Sequence, residues 1–285
     1  MKLCRFENQS GQACIGVVLA DDAVLDLTDA GISNLSSLLE SEDLPARLAL
    51  LAQQSQAKHS LRDVRLLCPI EKQEVWAAGV TYLRSKKARM EESDFSASAY
   101  DKVYDAARPE LFFKAMPENV VRPGGAVGIR RDAQWNVPEP ELALVLNSRG
   151  QIAGYTVGND MSARDIEGEN LLYLPQAKIY DRSCALGPFI TVGVTEAEAR
   201  GWQIQLLIQR DGTSVFYGDC SVGQIKRPFT ELAEYLFRSH TFPHGAVLLT
   251  GTGIVPPDNF TLRENDTVRI SISGIGALEN LVTPV

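Results

Sequence analysis

Histidine is scarce in this 285-residue sequence: His59, His240 and His244 are its only three. Each reads as a surface or capping residue rather than a general base. His59 lies in the N-terminal part, and the other two sit at the end of an expected helix and in the turn that follows. Cysteine offers no more. Cys4, Cys14, Cys68, Cys184 and Cys220 are odd in number, and no two form a C-x-x-C pair. That argues against a disulfide framework or a zinc site and fits a reducing compartment. Positive charge is in deficit, with 28 Lys and Arg against 36 Asp and Glu and a net charge of −8. Nucleic acid and anionic membrane surfaces reward clustered Lys and Arg, so neither is expected as a partner. An anionic small molecule stays open, because one metal ion or a few local cations override the global sign. Long apolar runs are missing too: none approaches the roughly 18 residues of a membrane span. The run "ACIGVVLA" is preceded by polar "ENQSGQ" and followed by Asp21-Asp22, so it reads as a strand and not as a signal-peptide core. A cytoplasmic protein is expected. No repeat of 20–50 residues occurs, and strands do not alternate with helices, which argues against a doubly wound parallel sheet.

What is present is ordinary globular composition, 45% hydrophobic and 22% charged, enough to bury a core without staples. Residues 1–70 read as a small N-terminal α/β domain. Strand-like "CIGVVLA" and "AVLDL" come first. Leu35, Leu38 and Leu39 then stand at helical spacing behind Ser33 or Asn34 as N-cap, and Pro45 opens a second helix with Leu48 and Leu51. Residues 71–285 read as a large, mainly antiparallel β domain. "ELALVL" and "QIAGYTV" flank the turn "NSRG", and "WQIQLLIQ" and "SVFYGD" flank "RDGT", whose Asp211-Gly212 is the stronger hairpin signal. One helix is expected around 228–239, with Phe229, Leu232 and Leu236 on one face, and strands return in "AVLLTGT" and "TVRISIS". Residues 83–108 are charged and weakly periodic. They form either a solvated helical insertion or a lid over an active site. The expected fold class is α+β, mainly β.

The stretch "NVPEPELALVL" carries the chemistry. Glu139 and Glu141 are two apart in a strand pattern, so both carboxylates point to one face. Buried together they would raise each other's pKa and destabilise the fold. They face water, pair with lysines, or grip a divalent cation that turns repulsion into attraction. The following "GYTVGNDMSARD" favours the cation, because an antiparallel return strand brings Asp160 back beside the first strand. Three carboxylates without His or Cys make an oxygen-only site for Mg²⁺, Mn²⁺ or Ca²⁺ and disfavour Zn²⁺. About three octahedral positions are left for water or substrate, the count of a catalytic site rather than a structural one.

These segments, with "LGPFI" and the final "ISGIGALENLVTPV", resemble the fumarylacetoacetate hydrolase superfamily over roughly residues 70–285. The resemblance implies Glu139, Glu141 and Asp160 as ligands of one divalent metal, a mixed β-sandwich roll, and assembly as a homodimer or homotetramer. Hydrolytic members carry G-x-N-Y-x-x-H-x-x-E before the metal site. Here the matching "GVTYLRSKKARMEE" keeps Gly79 and Tyr82 but has Ser85 and Ala88 in the catalytic places. Loss of a suitable base costs about 10²–10⁴ in rate. "VYDAARPELFFKAMP", "LLYLPQAKIYDRSCALGPFI" and "LLTGTGIVP" are similar to the 2-keto-3-deoxy-D-arabinonate dehydratase branch, which also lacks that His. This implies dehydration of a 2-keto-3-deoxy sugar acid to 2,5-dioxopentanoate through a metal-stabilised enolate. The resemblance points to Glu110 as a proton-handling carboxylate, to Lys178 beside the substrate as catalytic and binding residue, and to Thr252 on the substrate carboxylate. Lys114 is expected to form a structural ion pair. Glu110 as a surface turn residue and Lys178 as the partner of Asp181 or another acid stay open as plain alternatives. So do hydrolysis or decarboxylation of an acylpyruvate-like acid, and a non-catalytic metal-stabilised binding domain.

Overall fold

The computed structural model describes residues 1–84 and 102–285. Most of the segment 83–108, with Ser85 and Ala88, lies outside the described residues. The strand Pro140–Leu146 shows how the fold is built, because all seven of its residues are buried. Leu142, Leu144 and Leu146 enter one hydrophobic cluster, while Ala143 and Val145 enter another. Alternate side chains of a strand point to opposite faces, so both faces of this one are covered. That is why it reads as an unbroken apolar run.

Its neighbours Ile152–Asp160 and Ala246–Leu249 both pair with it antiparallel. Glu74–Gly79 runs parallel to Ala246–Leu249, and Glu110–Ala115 pairs antiparallel with Glu74–Gly79. On the other side, Cys184–Thr191 pairs with Ile152–Asp160, and the N-terminal strand Lys2–Glu7 pairs with Cys184–Thr191. The strands Ala13–Val18, Ala23–Asp26 and Lys58–Ser60 continue outward in that order. Residues 1–70 thus extend the large sheet. Their helices Leu35–Leu39 and Leu44–Gln54 cover one face of it, with Leu35 and Leu48 in the same cluster as Ala143, Val145 and Val247. Both helices start where the sequence supplies an acceptor. The Ser37 N–H donates to the Asn34 side chain and the Ala46 N–H to that of Asp43.

The other face meets a second sheet of five strands, ordered Thr213–Ser221, Gln203–Arg210, Thr267–Ile272, Gly276–Pro284 and Ala126–Ile129. Ile204, Leu206, Ile270 and Leu278 from this sheet pack with Leu142, Leu144 and Val157 from the large one. Asp211 and Gly212 turn its first hairpin at φ of 50° and 75°, the left-handed pair that a two-residue turn needs. The helix Phe229–Phe237 buries Phe229, Leu232 and Leu236 in the shared core. The architecture is mainly β with mixed pairing, as the sequence indicates. No helix among the described residues is long and apolar enough to cross a membrane.

This topology gathers several strand ends at one place. The parallel strands Glu74–Gly79 and Ala246–Leu249 finish there, and so does Ile152–Asp160. Glu110–Ala115 and Pro140–Leu146 begin there.

Candidate active site

Three acidic side chains meet at that end because of strand register. The Glu139 N–H donates to Asp160 O at 3.2 Å, and the Asp160 N–H donates to Glu139 O at 3.0 Å. Residues paired in this way stand directly opposite and share a face. Glu141 is two residues along on the same face, opposite Gly158, which contributes no side chain. One carboxylate oxygen from each of Glu139, Glu141 and Asp160 lies within 4.8 Å of the others. Their exposures are 4%, 1% and 1%, so the alternative that Glu139 and Glu141 simply face water is overturned.

Buried charge of one sign is costly unless it is matched, and here three basic side chains are buried with it. Lys178 ends the short helix Leu174–Lys178. Its Nζ lies 2.9 Å from Glu139 Oε2 and 3.0 Å from Asp160 Oδ2, and it also donates to Ser162 Oγ. Arg164 Nη1 reaches Glu139 Oε1 at 2.8 Å. The Lys114 ammonium pairs with Asp160 Oδ1 and donates to the main-chain carbonyls of Met161 and Lys178. Every carboxylate oxygen of Glu139 and Asp160 therefore meets a cationic side chain. Lys114 is indeed in an ion pair, and its partner belongs to the acidic cluster.

Glu141 is held differently. The Gly251 N–H donates to its Oε2 at 2.5 Å. Burial pushes its carboxyl well above the usual carboxylate range, and the charges of Asp160 and Glu139 push it further. Lys178 and the Gly251 N–H act in the opposite direction. A dication among the three carboxylates removes this conflict, and an all-oxygen donor set suits a hard ion. The residues present thus fit a divalent metal.

The remaining walls carry the other expected residues. Gly79, Val80, Glu110, Glu167, Gly251 and Thr252 line the same cavity as the acidic cluster and Lys178. Glu110 opens its strand directly opposite Gly79 and is half-buried. Thr252 is buried, and the Ile254 N–H donates to its Oγ1 at 3.2 Å. All six expected site residues are therefore brought to one cavity. Glu167 and the main chain of Gly251 were not foreseen. Glu167 lies three residues beyond Arg164 on one short helix, a spacing that puts both on one side of it. Gly251 contributes only a backbone N–H, for which a sequence has no side-chain signal. None of the three histidines lines this cavity. His59 lies 3.6 Å from Asp26 Oδ2, the His240 ring stacks on Phe242 at 4.3 Å, and His244 is exposed.

Comparison with known proteins adds four findings. The family model for the fumarylacetoacetate (FAA) hydrolase C-terminal region matches residues 74–283. A 2-dehydro-3-deoxy-D-arabinonate dehydratase from Saccharolobus solfataricus is 40% identical over 290 residues, covering 100% of this chain and 96% of its own length. A probable 2-keto-3-deoxyxylonate dehydratase from Haloferax volcanii is 50% identical over 217 residues, 76% of this chain and 74% of that protein. Among solved structures, a 2-keto-3-deoxy-D-arabinonate dehydratase complexed with magnesium and 2,5-dioxopentanoate superposes with a TM-score of 0.84. It is 35% identical and covers 100% of this chain and 99% of its own.

Proposed function

The chain belongs to the fumarylacetoacetate hydrolase family, and from that premise we propose that it is a divalent-metal-dependent hydro-lyase. It dehydrates a 2-keto-3-deoxy sugar acid of the arabinonate type to 2,5-dioxopentanoate. The observation that carries this reading is the buried cluster of Glu139, Glu141 and Asp160, with Lys178 against it, in a cavity that no histidine lines. Water attack on a carbonyl needs a general base of suitable pKa. An elimination needs only proton movement beside a polarised ketone.

A proton leaves C3, and the C4 hydroxyl departs with a proton as water, giving a 2-keto acid with a C3–C4 double bond. A proton then leaves C5 and one returns to C3, giving the C4–C5 enol. Protonation at C4 and loss of the hydroxyl proton yield the C5 aldehyde. Glu139, Glu141 and Asp160 hold the cation, with Mg²⁺ the ion that suits hard oxygen donors and exchangeable positions. When bound, it supplies Lewis-acid polarisation of the 2-keto group, which acidifies C3. Glu110 handles the substrate protons from the opposite wall, where partial exposure gives it a route to exchange them with solvent. Lys178 offsets negative charge as it develops on the ketone oxygen. Thr252 binds the substrate carboxylate by turning its hydroxyl away from the Ile254 carbonyl, to which it donates at 3.2 Å, while the Ile254 N–H holds its oxygen in place. The same reading takes the working protein as a homo-oligomer in the cytoplasm.

The test is incubation of the protein with Mg²⁺ and 2-keto-3-deoxy-arabinonate, and separately with an acylpyruvate. Metal-dependent aldehyde formation without acylpyruvate cleavage is expected. Cleavage without dehydration would overturn the reading.

A further inference from the structure

We propose that Gly79 is a positioning residue: the space left by its missing side chain is the seat of the Glu110 carboxylate. The inference rests on the role proposed above for Glu110 and adds what fixes that group in place. Gly79 ends the strand Glu74–Gly79 and stands directly opposite Glu110 in the antiparallel pairing. The Glu110 side chain lies over it. A Cβ on Gly79 would stand 2.1 Å from Glu110 Oε2, 2.6 Å from its Cδ and 3.2 Å from its Oε1. Those three atoms are the nearest neighbours of the position. The φ of Gly79 lies outside the left-handed region, so its backbone also accepts an L-residue. The main obstacle to a side chain at 79 is therefore the carboxylate itself.

The chain around this seat is pinned. Val80 has φ of +51°, a left-handed conformation that a β-branched residue adopts only under constraint from its surroundings. It is buried and lines the same cavity. The Thr81 hydroxyl donates to the Thr250 carbonyl. A Cβ on Gly251 would lie 2.2 Å from Thr81 Oγ1, so the two loops touch closely. Gly251 in turn donates its N–H to Glu141. The turn at 79–81 is thus joined to the loop that holds Glu141 and carries Thr252. The distance from the seat to the acidic cluster is set by main chain, and the missing Cβ lets the carboxylate occupy it.

Alanine at 79 displaces the far end of a flexible side chain, so the fold survives while the carboxylate moves by roughly 1 Å or more. A displacement of that size at a reacting group costs on the order of a hundredfold. The experiment compares wild type, Gly79→Ala, Glu110→Asp and the double variant in kcat, KM, calorimetric Mg²⁺ affinity and Tm. Gly79→Ala is expected to lower kcat about a hundredfold, with KM and Mg²⁺ affinity within about threefold of wild type. Aspartate is one methylene short of the seat. On the Glu110→Asp background, adding Gly79→Ala should therefore cost less than about threefold, a strongly non-additive pair. Equal factors on both backgrounds, or wild-type kcat in Gly79→Ala, would overturn the proposal. So would loss of folding in Gly79→Ala, because a movable carboxylate would then not be the obstacle. Failure of the underlying role looks different. Glu110→Gln with undiminished kcat removes the proton-handling assignment whatever Gly79→Ala does.

Discussion

Glu139 and Asp160, at the ends of two neighbouring strands inside the large sheet, and Glu110, on the strand that ends its order, line one cavity in different surroundings. The first two are opposite residues locked by reciprocal main-chain hydrogen bonds, and each of their side-chain oxygens meets a lysine or arginine. Glu110 is half-buried at the start of a strand and leans over a glycine. An acid that must hold an ion is best kept ionised and still, and neighbouring cations on rigid elements do both. An acid that must take and release protons needs access to solvent. The difference in surroundings separates the holding side from the working side, and substitutions on each side should fail in different ways.

The largest effect is expected on the holding side. Glu139→Ala should remove Mg²⁺ binding in calorimetric titration and bring aldehyde formation to the detection limit. Glu110→Gln should lower kcat by about 10²–10⁴ while Mg²⁺ still binds, which separates the two sides in one pair of proteins. Arg164→Met sharpens the contrast. It leaves Glu139 Oε1 without its guanidinium, so Mg²⁺ affinity should weaken by about 10–100-fold, and thermal unfolding should show a clear loss of stability. Thr252→Val should act on substrate alone, raising KM by roughly tenfold, as loss of one hydrogen bond to a charged group implies, with Mg²⁺ affinity unchanged.

The smallest effect concerns Glu141, the member of the cluster whose carboxyl is pushed up by burial and by its acidic neighbours. In the metal-free protein the folded state then keeps a proton that the unfolded state has already lost. Stability from this group falls as pH rises from the ordinary glutamate value toward its raised one. Glu141→Gln should flatten that slope and raise the metal-free Tm at neutral pH by a few degrees, although the variant loses metal affinity. A metal-free Tm unchanged by the substitution would mean that Glu141 carries no such conflict.

Much of the cavity was legible because it is written in strand periodicity. The two-residue spacing of Glu139 and Glu141 fixes a shared face, and the turn "NSRG" sends the chain back so that Asp160 arrives opposite Glu139. The Asp211-Gly212 turn and the helix with Phe229, Leu232 and Leu236 were legible for the same local reasons. What the sequence hid is tertiary. The pairing of Lys2–Glu7 with Cys184–Thr191 sets Lys2 opposite Thr191 and Leu3 opposite Ile190, a separation along the chain that leaves no local pattern. Glu167 stands in a charged helix that looks like any solvated one. The use of the Gly251 N–H follows from a loop path, and the seat of Glu110 on Gly79 follows from a cross-strand register, neither of which a side-chain motif encodes.

One anomalous-difference map tests whether the three carboxylates hold a metal ion. Crystals of the protein soaked in Mn²⁺ and measured at the manganese edge should give a single anomalous peak bonded to carboxylate oxygens of Glu139, Glu141 and Asp160, at about 2.0–2.3 Å. A map in which manganese lies elsewhere, with those three side chains closed on Lys178 and no ion among them, would contradict metal binding there.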